Sequence, residues 1–113
     1  LQCYNKIDIS LDTIPYNGAT TSFESIWMGV PVLTTIGNSF TSRYGYSINK
    51  NLNLNDFIGK NNEDLLNKAV IITTKIDELS KLRNNLRSRA MKSPLFDTDK
   101  FNNDFLNLIR QIR

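Results

Sequence analysis

Histidine does not occur in these 113 residues. Its absence removes the commonest general base, the commonest metal ligand and every serine–histidine–aspartate arrangement at once. Cysteine is nearly absent. Cys3 stands alone, which leaves no internal disulfide and no thiolate cluster for a metal. It reads as a small buried residue. No apolar run approaches the ~20 residues that span a bilayer, and no signal peptide is visible, so a cytoplasmic location is the default expectation. Neither sign of charge dominates: 14 basic residues face 11 acidic ones, a net +3. That balance suits an anionic ligand without calling for nucleic acid. No metal, cofactor or catalytic side chain is implied.

What is present fits one compact domain or part of a larger one, because hydrophobic residues make up 40% of the chain. The chain starts at Leu1, not Met, and reads as a fragment or a trimmed piece. Its two halves differ. Ile7-Asp8-Ile9-Ser10-Leu11 alternates apolar and polar residues and predicts a strand. A turn-rich loop follows from Asp12 to Gly18, where Asn17-Gly18 tolerates positive φ. Phe23, Ile26, Trp27 and Val30 recur at helical spacing, so a helix should begin near Thr20 or Thr21. Gly29 and Pro31 stop it, and Val32-Leu33-Thr34-Thr35 is the next strand. This is a βαβ unit of a parallel sheet. A short helix over Phe40–Ile48, interrupted by Gly45, and a last strand at Asp56-Phe57-Ile58 complete the first half. The remainder is helical: Glu63–Lys75, a second helix marked by Leu79, Leu82 and Leu86, a break at Ser93–Asp97, and a final helix striped by Phe101, Phe105, Leu108 and Ile112.

The chemistry concentrates where the first strand's loop opens the first helix. Ligands of open parallel sheets bind beyond the carboxyl ends of the strands. A helix start leaves several N–H groups unpaired, and these with the helix dipole favour an anion such as phosphate. Gly18 admits a close backbone approach, Ala19 offers its amide, and Thr20 and Thr21 add hydroxyls. Glu24, one turn on, can accept from ribose hydroxyls. Asn17 and Arg43 are secondary candidates, the arginine reaching from the loop after the second strand. A structural alternative stands beside this one: Thr21-x-x-Glu24 is also a capping box. Asp12 reads as turn and cap chemistry, and Trp27 and Met28 as core. Lys81, Arg83, Arg87, Arg89 and Lys92 read as a solvated helix face in preference to a nucleic-acid surface.

Leu11-Asp12-Thr13-x-Pro15-Tyr16-Asn17-Gly18-x-Thr20-Thr21, followed by Glu24-x-x-Trp27-Met28-Gly29-Val30-Pro31-Val32, resembles the C-terminal catalytic half of the O-linked N-acetylglucosamine transferases, which often carry tetratricopeptide repeats. The likeness continues at Ser42-Arg43 and Ser93-Pro94-Leu95-Phe96-Asp97 and covers nearly the whole chain. It implies an α/β fold: a partial Rossmann-like parallel sheet, the C-terminal half-domain of a GT-B glycosyltransferase, with a helical C-terminal segment. It implies a UDP-N-acetylglucosamine-like donor and, in the full-length protein, transfer to serine or threonine hydroxyls of proteins. By the resemblance, Thr20 and Thr21 bind the diphosphate, Glu24 holds the ribose, and Ala19 stands where some members have histidine. The leaving-group lysine, most of the uracil segment and the opposite half of the cleft belong upstream, so the chain alone is expected to be inactive. The alternative is a non-catalytic binding module that kept the fold. The terminal helix often crosses to the other domain in such enzymes, so its stripe is expected to be exposed here and to favour self-association.

Overall fold

The computed structural model describes residues 1–113. Its centre is a three-stranded parallel sheet in the order β1-β2-β3, formed by Ser10–Leu11, Val32–Thr35 and Ile58–Gly59. Ser10 pairs with Val32 and Leu11 with Leu33, while Thr34 pairs with Ile58 and Thr35 with Gly59. All four β2 residues are buried, as a central strand covered on both faces requires. The outer strands are shorter than the sequence suggests. Only the last two residues of the Ile7–Leu11 run pair. Asn55–Phe57 forms a 3-10 turn, and β3 starts at Ile58.

Helix α1 spans Thr20–Trp27, α2 Tyr44–Asn51, α3 Asn62–Thr74, α4 Ile76–Met91 and α5 Thr98–Ile112. Further 3-10 turns occupy Gln2–Lys6 and Pro94–Phe96. None of the helices is long and apolar enough to cross a membrane. Gly45 does not interrupt α2. It lies buried in the first turn, where a side chain would run into Asp12 Oδ2 and Thr34 Oγ1. The core gathers Ile26, Leu33, Leu52, Phe57, Leu86 and Ala90, among others, from the sheet and α1 to α4. Asn49, fully buried on α2, donates from Nδ2 to Val32 O at 2.8 Å and Phe57 O at 3.3 Å, tying the helix to β2 and to the turn before β3.

The basic run of α4 is not a plain solvated face. Arg87 Nε donates to Trp27 O, Arg83 Nε to Gly29 O at 3.2 Å, and Arg89 Nη1 to Leu52 O at 3.4 Å. These carbonyls end α1 and α2, where unpaired oxygens and the dipole favour a cation. Arg83 also pairs with Asp8. Trp27 and Met28 are not deep core. The indole is partly exposed, its ring lies 5.7 Å from that of Phe96, and the Arg87 guanidinium sits 5.0 Å above it. Cys3 is exposed on the first 3-10 turn, contrary to the burial its type suggests. As its stripe suggests, α5 leaves Phe101, Phe105, Leu108 and Ile112 exposed and buries no residue.

Gly29 lies close against the backbone of α4. It has φ +79°, and a Cβ there would stand 2.9 Å from the Arg83 carbonyl oxygen. Gly29→Ala is therefore expected to lose at least about 1–2 kcal/mol, the usual cost of the left-handed conformation for an L residue, read as a lower denaturant midpoint at unchanged slope.

Candidate functional site

Two loops leave adjacent parallel strands at their carboxyl ends: residues 12–19 from β1 to α1, and 36–43 from β2 to α2. Asp12 organises the first. Its Oδ1 accepts from the amides of Thr13 and Gly18, each at 2.9 Å, and its Oδ2 accepts from the Thr34 hydroxyl at 2.7 Å. Asn17 joins the two loops. Only 2% exposed, it donates from Nδ2 to Thr13 O at 2.9 Å and from its backbone to Thr41 O at 2.9 Å, while Oδ1 accepts from the Gly45 amide at 3.2 Å. Every polar group of that side chain is used within the protein. Asn17 is thus a strut, not a ligand contact.

Gly18 is also committed. Its amide goes to Asp12 and its carbonyl accepts from Ser22 Oγ at 3.0 Å. Its φ is not positive, so the Asn17–Gly18 pair makes no left-handed turn. A Cβ here would lie 2.5 Å from Thr21 Oγ1 and 3.0 Å from Ser22 Oγ, so a larger residue would have to displace those hydroxyls. Gly18 shapes the loop but donates nothing outward.

The donors that stay open come next. Ala19 is the N-cap of α1 and makes no side-chain cap bond. The first helical amide with a backbone acceptor at this end is Phe23, which donates to Ala19 O at 3.0 Å. The amides of Ala19, Thr20, Thr21 and Ser22 have no acceptor within the protein, and neither threonine hydroxyl is bonded. Thr20 and Thr21 are exposed. The capping box over Thr21 and Glu24 does not form, because Thr21 stands inside the helix, two residues past the cap. Two other helix starts are capped by the side chain of their own N-cap residue, whereas those of α2 and α4 are not. At α3, Asn61 Oδ1 accepts from the Asp64 amide at 2.8 Å. At α5, Asp97 Oδ1 accepts from the Lys100 amide at 2.9 Å. The Asp64 carboxyl also takes the Lys60 amide, which, with nearby Lys68, holds it below the usual carboxylate range. A capping box of this general kind exists, but on α3.

Glu24 is exposed, one turn from the mouth, with no partner. It rims an apolar hollow of about 230 Å³ lined by Leu1, Phe23, Trp27, Met28 and Phe96. Arg43 caps α2. Its Nη1 donates to Gly37 O at 3.0 Å and its guanidinium lies 4.9 Å over Tyr46. It has no carboxylate partner, so a full positive charge stays at the carboxyl edge of the sheet. A larger cavity, about 630 Å³ between α3, α4 and residues 53–57, abuts the amino end of β3 and is remote from these loops. The structure therefore brings Ala19, Thr20 and Thr21 together at one open mouth, with Glu24 a turn away and Arg43 on the neighbouring loop. Thr34 and Gly45, which lock the mouth's geometry, were not candidates by sequence. A strand threonine and a helical glycine carry no local signal of a partner 22 or 33 residues earlier.

The sequence profile described as "Glycosyl transferase family 41" matches residues 4–105. The chain is 37% identical over 112 residues to the "Probable UDP-N-acetylglucosamine--peptide N-acetylglucosaminyltransferase SPINDLY" of Solanum lycopersicum, covering 99% of this chain and 12% of that protein. It is 30% identical over 105 residues to the "UDP-N-acetylglucosamine--peptide N-acetylglucosaminyltransferase" of Caenorhabditis elegans, covering 93% of this chain and 9% of that one. A mutant O-GlcNAc transferase of Thermobaculum terrenum superposes with a TM-score of 0.86 at 32% identity, over 97% of this chain and 21% of its own. The chain thus spans a small part of the length of the relatives it matches.

The bonds at Asp12 predict a graded response. Asp12→Ala leaves the Gly18 and Thr13 amides and the Thr34 hydroxyl without their acceptor and is expected to cost about 1–3 kcal/mol. Asp12→Asn keeps an oxygen for both amides and an NH2 group for a reoriented Thr34 hydroxyl, so it should lose much less. Chemical denaturation of both variants checks the order.

Proposed function

The chain belongs to glycosyl transferase family 41, and from that premise we propose that it supplies the diphosphate-binding wall of a nucleotide-sugar donor site. In this reading the donor is UDP-N-acetylglucosamine or a close relative, and the whole protein transfers its sugar to serine or threonine hydroxyls of proteins. The observation that carries the reading is the uncapped start of α1. Four consecutive amides and two threonine hydroxyls face no protein acceptor at the carboxyl edge of a parallel sheet. Such an array stabilises a diphosphate through oriented donors and the helix dipole.

In the transfer, the bond from the anomeric carbon to the β-phosphate oxygen breaks and charge grows on the departing diphosphate. Donors already fixed at that place stabilise the transition state more than the ground state, which is what accelerates a reaction. Ala19 and Ser22 contribute amides, and Thr20 and Thr21 contribute amides and hydroxyls. Gly18 supports them through Asp12. Glu24 accepts from the ribose hydroxyls, and the apolar hollow beside it shelters that end of the nucleoside. Arg43 adds long-range attraction for the anion.

Titration of the isotope-labelled chain with UDP should move the amide signals of Ala19 to Ser22 most. Shifts confined to other segments would remove the site. A Thr20→Val, Thr21→Val double variant keeps the amides but loses two hydroxyl donors, and about a tenfold weaker UDP affinity is expected. Catalysis also needs the reacting groups held from both sides of a cleft. The 113-residue chain alone is therefore expected to give no sugar transfer in a radiolabelled-donor assay. The exposed α5 stripe should make the isolated chain associate as its concentration rises, seen as growing mass in sedimentation, and Phe105→Asp should abolish the growth.

A further inference from the structure

Beside the helix mouth the same two loops expose an aromatic cluster. Tyr16, from the β1–α1 loop, meets Tyr44 edge to face with ring centres 6.3 Å apart. Phe40, from the β2–α2 loop, meets Tyr44 in the same way at 5.1 Å. Phe40 is 80% exposed and Tyr16 65%. Rings this exposed contribute little to the core, yet the backbone beneath them is firmly tied. The Asn17 amide donates to Thr41 O, and Thr13 Oγ1 donates to Tyr16 O. Ser42 Oγ accepts from the Ser39 amide at 2.9 Å and donates to Ser39 O at 3.0 Å, while the Gly37 amide donates to Ser42 O at 3.1 Å. A fixed aromatic surface binds with little ordering cost.

The chemistry of this surface differs from that of the mouth. No charged residue occurs from Thr13 to Phe23 or from Ile36 to Ser42. The neighbouring Arg43 is turned onto Gly37 O and Tyr46. A neutral aromatic platform suits an apolar, uncharged partner better than an anion. Tyr16 lies three residues before Ala19, so an occupant of the platform lies next to whatever the mouth holds. An extended peptide repeats its side chains on one face every ~6.6–6.8 Å, near the 6.3 Å between the Tyr16 and Tyr44 rings.

We propose that Tyr16, Phe40 and Tyr44 form a docking platform for the acceptor polypeptide, gripping apolar side chains that flank the reacting serine or threonine. The proposal rests on the donor-site reading above, which places the diphosphate at the neighbouring mouth. The platform contributes specificity: acceptors with neutral, apolar flanks bind, and acceptors with charged flanks bind less well. It holds the peptide and touches no breaking bond.

The test uses the labelled 113-residue chain and two decapeptides with a central serine, one flanked by valine and leucine, the other by glutamate. The apolar peptide should shift the signals of Tyr16, Thr41 and Tyr44, with or without UDP. With UDP filling the mouth, the acidic peptide should bind several-fold more weakly. Phe40→Ser, at an exposed position, should weaken the apolar peptide about fivefold and leave the UDP affinity unchanged. Peptide shifts that avoid these loops, or a Phe40→Ser variant that binds peptide normally, would overturn the proposal. So would a fall in UDP affinity in that variant, or platform shifts caused by free N-acetylglucosamine alone, since either assigns the rings to the donor. Failure of the donor reading shows separately, as silence of Ala19 to Ser22 on adding UDP.

Discussion

The arrangement depends on one carboxylate. Asp12 ends the first strand and takes three hydrogen bonds, two from its own loop and one from the Thr34 hydroxyl of the neighbouring strand. The Thr34 bond fixes where the loop leaves the sheet, and the Gly18 bond fixes where it enters α1. The distance between strand end and helix start is then set without any side chain standing at the helix mouth. The same carboxylate needs room, and Gly45 provides it, since a side chain there would occupy the space of Asp12 Oδ2. Asn17 adds the second tie by accepting the Gly45 amide, so the starts of α1 and α2 are held to one another through a buried amide. Buried polar groups that are fully satisfied make such a joint rigid, and a partly satisfied one would be costly.

An uncapped helix start has a cost of its own. Substituting a good cap residue by alanine loses about 1 kcal/mol, and α1 has alanine at that position. The chain meets this cost elsewhere on the same helix. Arg87 and Arg83 donate to Trp27 O and Gly29 O at the far end, and Ser25 Oγ donates to Val30 O at 2.8 Å in the following turn. The carboxyl end of α1 is thus heavily satisfied and its amino end is left open. α3 and α5, remote from the paired loops, have the opposite character: side chains from Asn61 and Asp97 close their starts. The start of α4 also lacks a side-chain cap, so what sets α1 apart is its open start together with its place at the edge where a parallel sheet receives ligands.

Much of this was legible in sequence where the signal is local. Gly29 with Pro31 fixed the end of α1, the four β-branched and apolar residues from Val32 fixed β2, and the stripe of α5 announced its exposure. Errors arose where the deciding partner is distant. Thr21 and Glu24 have capping-box spacing, but Asp12 sets the helix start two residues earlier than that box needs, so Ala19 becomes the cap. The arginines of α4 look like a solvated run until the helix crosses the ends of α1 and α2. Gly45 resembles a breaker because a single sequence does not show the carboxylate that requires it. Trp27 reads as core from its helical spacing, but it packs on Arg87 and Phe96 and lines a surface hollow.

The division of labour at the carboxyl edge follows from these constraints. Open amides attract an anion, and they do so best if nothing neutral competes for the same space. The aromatic rings are therefore set on the flanking loops, with Tyr16 before the Asn17 strut and Phe40 before Ser42, while the residues at the mouth are alanine, threonine and serine, too small to obstruct it. Asn17 stands between the two surfaces and presents nothing to either, since its amide group is spent on Thr13 and Gly45. A change in that strut would move both surfaces together. Phe40, 80% exposed and resting edge to face on Tyr44, belongs to the aromatic surface.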